Sequence, residues 1–180
     1  MARITQVSDT AAAPEAAALF TAIKAKIGMV PNLYRVAANQ PKVLAAMLGL
    51  NETLAGGGFD ARTREAIALT VAGANACDYC ASAHAAISAG LKVAPETIDA
   101  HLAGRSDDPR TAAILKLASA IVQARGMVAD ADLVAARDAG LTESDIVETV
   151  AQVVANIFTN YLNHVAATDI DFPARKARAA

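Results

Sequence analysis

Between Glu65 and His84 the chain gathers four residues able to handle protons and electrons: Glu65, Cys77, Cys80 and His84. A cysteine thiolate is a nucleophile, and two cysteines three residues apart can exchange two hydrogens for a disulfide. At about 100° per residue, Cys77, Cys80 and His84 fall within about 60° of one another on a helix face. His84 lies one turn beyond Cys80, so its imidazole can approach that sulfur. Cα atoms three apart on a helix are close enough for a disulfide after slight relaxation. A break at Gly73-Ala74-Asn75 would put both cysteines in the first turn of the next helix. There the unpaired amides and the positive end of the helix dipole favour a thiolate, most of all at Cys77.

Other uses of these residues are open from spacing alone. Two cysteines in an apolar helix can simply fill space. Cys77, Cys80 and His84 could hold zinc, with a fourth ligand from His101, His164, a carboxylate or water, although no second Cys-x-x-Cys exists. A thioredoxin-like role needs a βαβ context that the chain lacks. Glu65 stands twelve residues before Cys77 in an alanine- and leucine-rich stretch. Buried there, it would have a raised pKa and could exchange protons near neutrality. At the surface, it would pair with Arg62 or Arg64, or help cap the helix near Asp60. An amide stripe, Gln152, Asn156, Asn160 and Asn163 with His164, recurs at near-helical spacing. It could line a cavity near Cys80, form a subunit contact, or bond along a helix–helix seam. Phe158 and Tyr161 read as core, and His101 as surface.

The elements that must position these residues read as helices. Of 180 residues, 54% are hydrophobic but only 4% aromatic, and about a quarter are alanine. Alanine favours helices, whereas strands prefer β-branched and aromatic residues. Pro14 opens a segment that ends at Gly28, Asn39-Gln40-Pro41 starts another, and Asp60, Asp107-Asp108-Pro109 and Thr142 with Asp145 mark three more starts. The reading is a single all-α domain over 1–180, a bundle of seven to nine helices. It comprises an N-terminal segment (1–25), the helices of the cysteine motif (60–90) and a long C-terminal helix (142–168). An offset of 80 aligns Glu65 with Asp145 and His84 with His164, a faint internal repeat. Arg175 to Ala180 read as a loose tail.

Composition also excludes. A net charge of −2 leaves no electrostatic footprint for nucleic acid. Two cysteines are too few for a disulfide-built secreted scaffold. The N-terminus lacks the apolar core of a signal peptide. The uncharged stretch 149–168 carries too many amides for a lipid-facing helix, which points away from a membrane and toward the cytoplasm.

With these residues in hand, the sequence resembles the AhpD-like alkylhydroperoxidases of the carboxymuconolactone decarboxylase superfamily. Glu65, twelve residues, Cys77-x-x-Cys80 and His84 look like that family's core. Val30-Pro31-Asn32-Leu33-Tyr34, Asn39-x-Pro41, Cys77-Asp78-Tyr79-Cys80 and the closing Asn156-x-Phe158-Thr159-Asn160-Tyr161-Leu162-Asn163-His164 resemble its peroxidase-related branch. The resemblance covers about residues 25–170. It implies an AhpD-like helical bundle that assembles as trimers or hexamers and reduces hydroperoxides with electrons from a dithiol, lipoyl or thioredoxin-type, without a cofactor or bound metal. By position Cys80 would attack the peroxide, Cys77 would resolve the sulfenic acid, and Glu65 with His84 would relay protons. In one departure, Tyr79 stands where the best-studied pattern has a second histidine, and tyrosine does not shuttle protons near neutral pH. Members that decarboxylate lactones generally lack the cysteine pair. The expectation is therefore a thiol-dependent hydroperoxide reductase, set against a redox-responsive assembly protein or a zinc-stabilised helical module.

Overall fold

The structure, a computed structural model, describes residues 2–177. Among them are nine α-helices and no strand: α1 (Pro14–Ile27), α2 (Asn32–Ala37), α3 (Pro41–Ala55), α4 (Ala61–Ala74), α5 (Asp78–Gly90), α6 (Pro95–Leu102), α7 (Pro109–Ala124), α8 (Asp130–Asp138) and α9 (Glu143–Ala166). The sequence signals act where expected. Asp60 and Asp108 accept from the N–H groups of Thr63 and Thr111, and Thr142 with Asp145 forms a reciprocal capping box. Gly28 closes α1 in the left-handed region, φ 83°.

Helix α4 is the axle of the bundle. Every residue from Ala66 to Gly73 is buried, because α5, α6, α7 and α9 pack around it on all sides. Its side chains are apolar or small around the whole circumference, as such a position requires. Gly73 permits the tightest approach: a Cβ there would lie 2.0 Å from the Leu102 carbonyl oxygen at the end of α6. Two cores flank the axle. One joins α1, α2, α3 and the start of α5; the other joins α4, α7, α8 and the first half of α9.

Helix α9 runs parallel to α4. At its start the Glu148 carboxylate accepts from the N–H groups of Gly58 and Phe59, and further along Asn160 accepts from Asn75 Nδ2. One face of α9 enters the core. The opposite face presents Val147, Val150, Val154, Phe158, Tyr161 and Val165 to solvent. Phe158 and Tyr161, expected in the core, are thus exposed, because the bundle covers only one side of this helix. None of the described helices is long and apolar enough to cross a membrane.

Three further expectations change. His101 is buried, since α6 folds back on α4 and its carbonyl accepts from Thr70 Oγ1. The offset-80 repeat has no chemical counterpart: Asp145 caps α9 and pairs with Arg110, and His164 is exposed. Finally, the described part of the supposed loose tail is tied down, whereas 178–180 lie outside the described residues. The segment 168–177 forms a strap across α2 and the start of α5. Asp171 accepts from Asn32 N–H and from the Tyr79 hydroxyl, Ser82 Oγ accepts from Arg175 N–H, and the Asp78 carboxylate accepts from Lys176 Nζ and Ala177 N–H.

Candidate functional site

Cys77 is the residue that caps α5, and Cys80 sits in the first turn behind it. Both are reduced and at most 2% exposed. The two thiols interact directly, and their environments separate them. Cys77 accepts the Cys80 thiol's hydrogen bond and faces the backbone N–H groups of Cys80 and Tyr79 and the charge of His84. Together these outweigh burial and hold its pKa below the ordinary thiol value. Cys80 is pushed well above that value by its bond and charge interaction with Cys77 and by burial. The pair therefore loses its first proton at Cys77 and keeps the second at Cys80, as the helix field suggests.

Access runs the other way. A cavity of about 500 Å³ opens onto Cys80, His84 and Glu65, but Cys77 does not line it. His84 Nδ1 and Glu65 Oε2 are 2.8 Å apart. Burial pulls the His84 pKa down, but the charge and hydrogen bond of Glu65, together with the charge of Cys77, leave it above the ordinary value. The partner of Glu65 is thus His84 and neither nearby arginine. Arg62 donates to the Leu91 carbonyl and Arg64 to that of Phe59.

Two residues beyond the expected four touch the Cys80 sulfur. Asn163 Nδ2 donates to Sγ at 3.3 Å, and Thr159 Oγ1 lies 4.0 Å away. Both act to lower the Cys80 pKa against the larger opposing effects. The amide stripe therefore splits by position. Gln152 and Asn156 line the cavity, Asn163 reaches the sulfur, and Asn160 bonds along the seam with α4. Sequence periodicity marked these amides but could not say which of them faces a sulfur eighty-three residues away.

Tyr79 is structural. Its hydroxyl donates to Asp171 and accepts from Leu33 N–H, and its ring packs edge-on against Phe172 at 5.8 Å. Burial, reinforced by Asp171 and outweighing the Leu33 bond, pushes its pKa far up. It remains protonated and relays nothing near neutrality. Tyr34, also on the cavity wall, is held above its ordinary value by burial and by Glu65.

A larger polar cleft of about 820 Å³ lies between α4, α6 and α7 and contains none of these residues. Among the described residues no three His, Cys, Asp or Glu side chains converge as a metal site would require. The donor set fits zinc poorly, since His84 is directed at Glu65 through Nδ1 and no fourth ligand approaches the sulfurs.

The all-helical bundle, which carries a cysteine pair at a helix start and a carboxylate–imidazole pair on one cavity, has an AhpD-like fold. Residues 41–120, a little under half of the chain, match the carboxymuconolactone decarboxylase family. Its fold is similar to that of an uncharacterized peroxidase-related protein from Ralstonia eutropha JMP134, described as an alkylhydroperoxidase AhpD core. The two share 24% identity and a TM-score of 0.84 over 94% of this chain and 92% of that one. It is also similar to a peroxidase-related protein from Silicibacter sp. TM1040, with 23% identity and a TM-score of 0.81 over 93% and 89% of the two chains. A third similar structure is the debrominase Bmp8, solved as a cysteine-to-alanine variant with 2,3,4-tribromopyrrole. It gives 20% identity and a TM-score of 0.79 over 94% and 91% of the chains. No curated protein matched the chain in sequence.

Proposed function

We propose that the chain is a thiol-dependent hydroperoxide reductase. The observation that carries this reading is the division of labour in the cysteine pair. Cys80 faces a 500 Å³ cavity together with the Glu65–His84 pair, while Cys77 waits behind it at the helix start as the more acidic thiol. The reaction starts from Cys77 as thiolate, Cys80 as thiol and His84 as imidazolium, the arrangement favoured by the lowered pKa of Cys77 and the raised pKa values of Cys80 and His84. Cys80 passes its proton to Cys77, and its sulfur attacks the terminal peroxide oxygen. The O–O bond breaks, and the departing alkoxide takes the His84 proton, which leaves an alcohol and Cys80 sulfenic acid. Cys77 then gives its proton to His84 and attacks the Cys80 sulfur. The hydroxide released takes that proton and leaves as water. The sum is ROOH plus two thiols giving ROH, water and a disulfide, which an external dithiol reduces.

Asn163 supports the attacking sulfur by donating to the charge that develops on it, while Thr159 Oγ1 accepts from the Cys80 thiol. Glu65 holds the imidazole in orientation. The outward face of α9 suits a second copy of the chain. Its six apolar side chains carry no charge, so identical faces meet without repulsion.

The test is peroxide consumption with dihydrolipoamide, reduced thioredoxin or dithiothreitol as donor. Catalytic turnover with any of these supports the reading; thiols that survive peroxide would overturn it. Reductive dehalogenation is a second reading, favoured by the largely apolar walls around the same two-electron couple. The fold is also that of Bmp8. Loss of bromide from 2,3,4-tribromopyrrole, with no peroxide turnover, would select it.

A further inference from the structure

Gln152 differs from the other polar groups of the Cys80 cavity. It lines the wall and is 6% exposed, and its side-chain amide bonds to nothing in the protein, with Nε2 fully buried. Buried amides nearly always have a partner. The neighbouring amides do: Asn156 Nδ2 donates to the Gln152 carbonyl and Asn163 Nδ2 to Cys80. Gln152 lies on the cavity wall, so a molecule held there can supply the missing partner once a small turn of the side chain brings Nε2 to the surface.

Arg64 is on the wall of the same cavity. The ties from Gly58 to Glu148 and from Asn75 to Asn160 put α4 and α9 in parallel register, which sets Arg64 level with Gln152. Arg64 is half-buried. Its Nη1 donates to the Phe59 carbonyl, and no carboxylate among the described residues pairs with it. A guanidinium has five N–H donors in a planar fork suited to a carboxylate. The Asp60 carboxylate feels the charge of Arg64 without forming an ion pair with it, so the guanidinium keeps donors beyond the Phe59 bond for a carboxylate. The far end of the cavity is thus built for an anion with a hydrogen-bonding edge.

The span follows from helix geometry. Gln152 and Thr159 lie on one face of α9, seven residues or two turns apart, which is about 10 Å. Thr159 is the residue beside the Cys80 sulfur. Between the ends the wall is mostly apolar, with Leu33, Ala68, Ala83 and Ile87, and carries Asn156 on the α9 side. We propose that Gln152 and Arg64 form a carboxylate subsite, which selects apolar hydroperoxides bearing an acid about 10 Å from the reacting oxygen. The inference rests on the hydroperoxide reading for the reaction but not for the binding.

Calorimetric titration with ω-hydroxydecanoic acid, which is unreactive toward thiols, separates the two. The acid should bind the wild-type protein at least about tenfold more tightly than its methyl ester does. Gln152→Leu and Arg64→Gln should each weaken the acid about tenfold, roughly the worth of one charge-assisted hydrogen bond. Gln152→Glu keeps the size and polarity of the side chain but repels the acid, so it should abolish the acid's preference over the ester. Thermal melts by circular dichroism identify any variant that fails to fold. Equal binding of acid and ester, acid binding unchanged in Gln152→Leu, or no binding of either would overturn the subsite. A protein that binds the acid yet consumes no hydroperoxide would refute the proposed reaction and leave the subsite standing.

Discussion

At the scale of single residues, the cysteines divide acidity from access. Cys77 is the easier thiol to ionise, and Cys80 is the one a molecule in the cavity can meet. Cys80→Ser should therefore abolish reaction with peroxide, while Cys77→Ser should leave a sulfenic acid that dimedone traps; mass spectrometry reads both. Asn163→Leu removes the donor at 3.3 Å from Cys80. In a Cys77→Ser background it should raise the pH midpoint for alkylation of Cys80 by about one unit, the effect of roughly 1.4 kcal/mol. The Glu65–His84 pair makes a signed prediction for stability. The folded His84 pKa lies above its ordinary value, so the pair's contribution is complete below about pH 6.5 and fades as pH rises through the folded pKa. Glu65→Gln should cost more stability at about pH 6 than at about pH 9, measured by urea unfolding. An equal cost at both would mean that the pair carries no net charge interaction.

At the scale of elements, the helices were legible because their ends are written in local chemistry. Asp60, Asp108 and Thr142 cap them, and Pro14, Pro41, Pro95 and Pro109 open them. Cys77, Cys80 and His84 were legible for the same reason, since they share one short stretch. What local spacing cannot encode is which side of a helix the rest of the bundle covers. That explains why Phe158 and Tyr161 read as core, and why Asn163 could not be paired with Cys80. The strap was illegible for another reason: Asp171, Arg175 and Lys176 show no periodicity and gain their order from distant Asp78, Tyr79 and Ser82. Small residues on the axle have a measurable consequence. At Gly73 even a methyl group would meet backbone at the Leu102 carbonyl, so Gly73→Ala should destabilise the protein by about 1–3 kcal/mol, in spite of alanine's better helix propensity. Thermal unfolding checks this, and an unchanged or higher Tm would mean that α6 yields readily.

At the scale of the whole molecule, α9 is a long helix whose inner face sets amides among apolar side chains and whose outer face is apolar. On α9 the outer residues recur every three or four positions, from Val147 at 68% exposure to Val165 at 62%. The whole stretch from Thr149 to Thr168 carries no formal charge. A solvent-facing helix ordinarily bears charged residues there. Val154→Glu, at the middle of this face, should reduce the mass seen by sedimentation velocity while leaving the helical circular dichroism intact. A wild-type protein that sediments as a monomer would exclude this face as a self-association surface. The absence of tryptophan gives the molecule an unusual optical economy. Its three tyrosines occupy separate working regions: Tyr34 on the cavity wall, Tyr79 between the cysteines beneath the strap, and Tyr161 on the outer face of α9. With no indole to drain or mask their emission, single Tyr→Phe replacements would assign the intrinsic ultraviolet fluorescence to each region. An unlabelled sample could then report ligand entry, thiol oxidation and assembly as three separable signals.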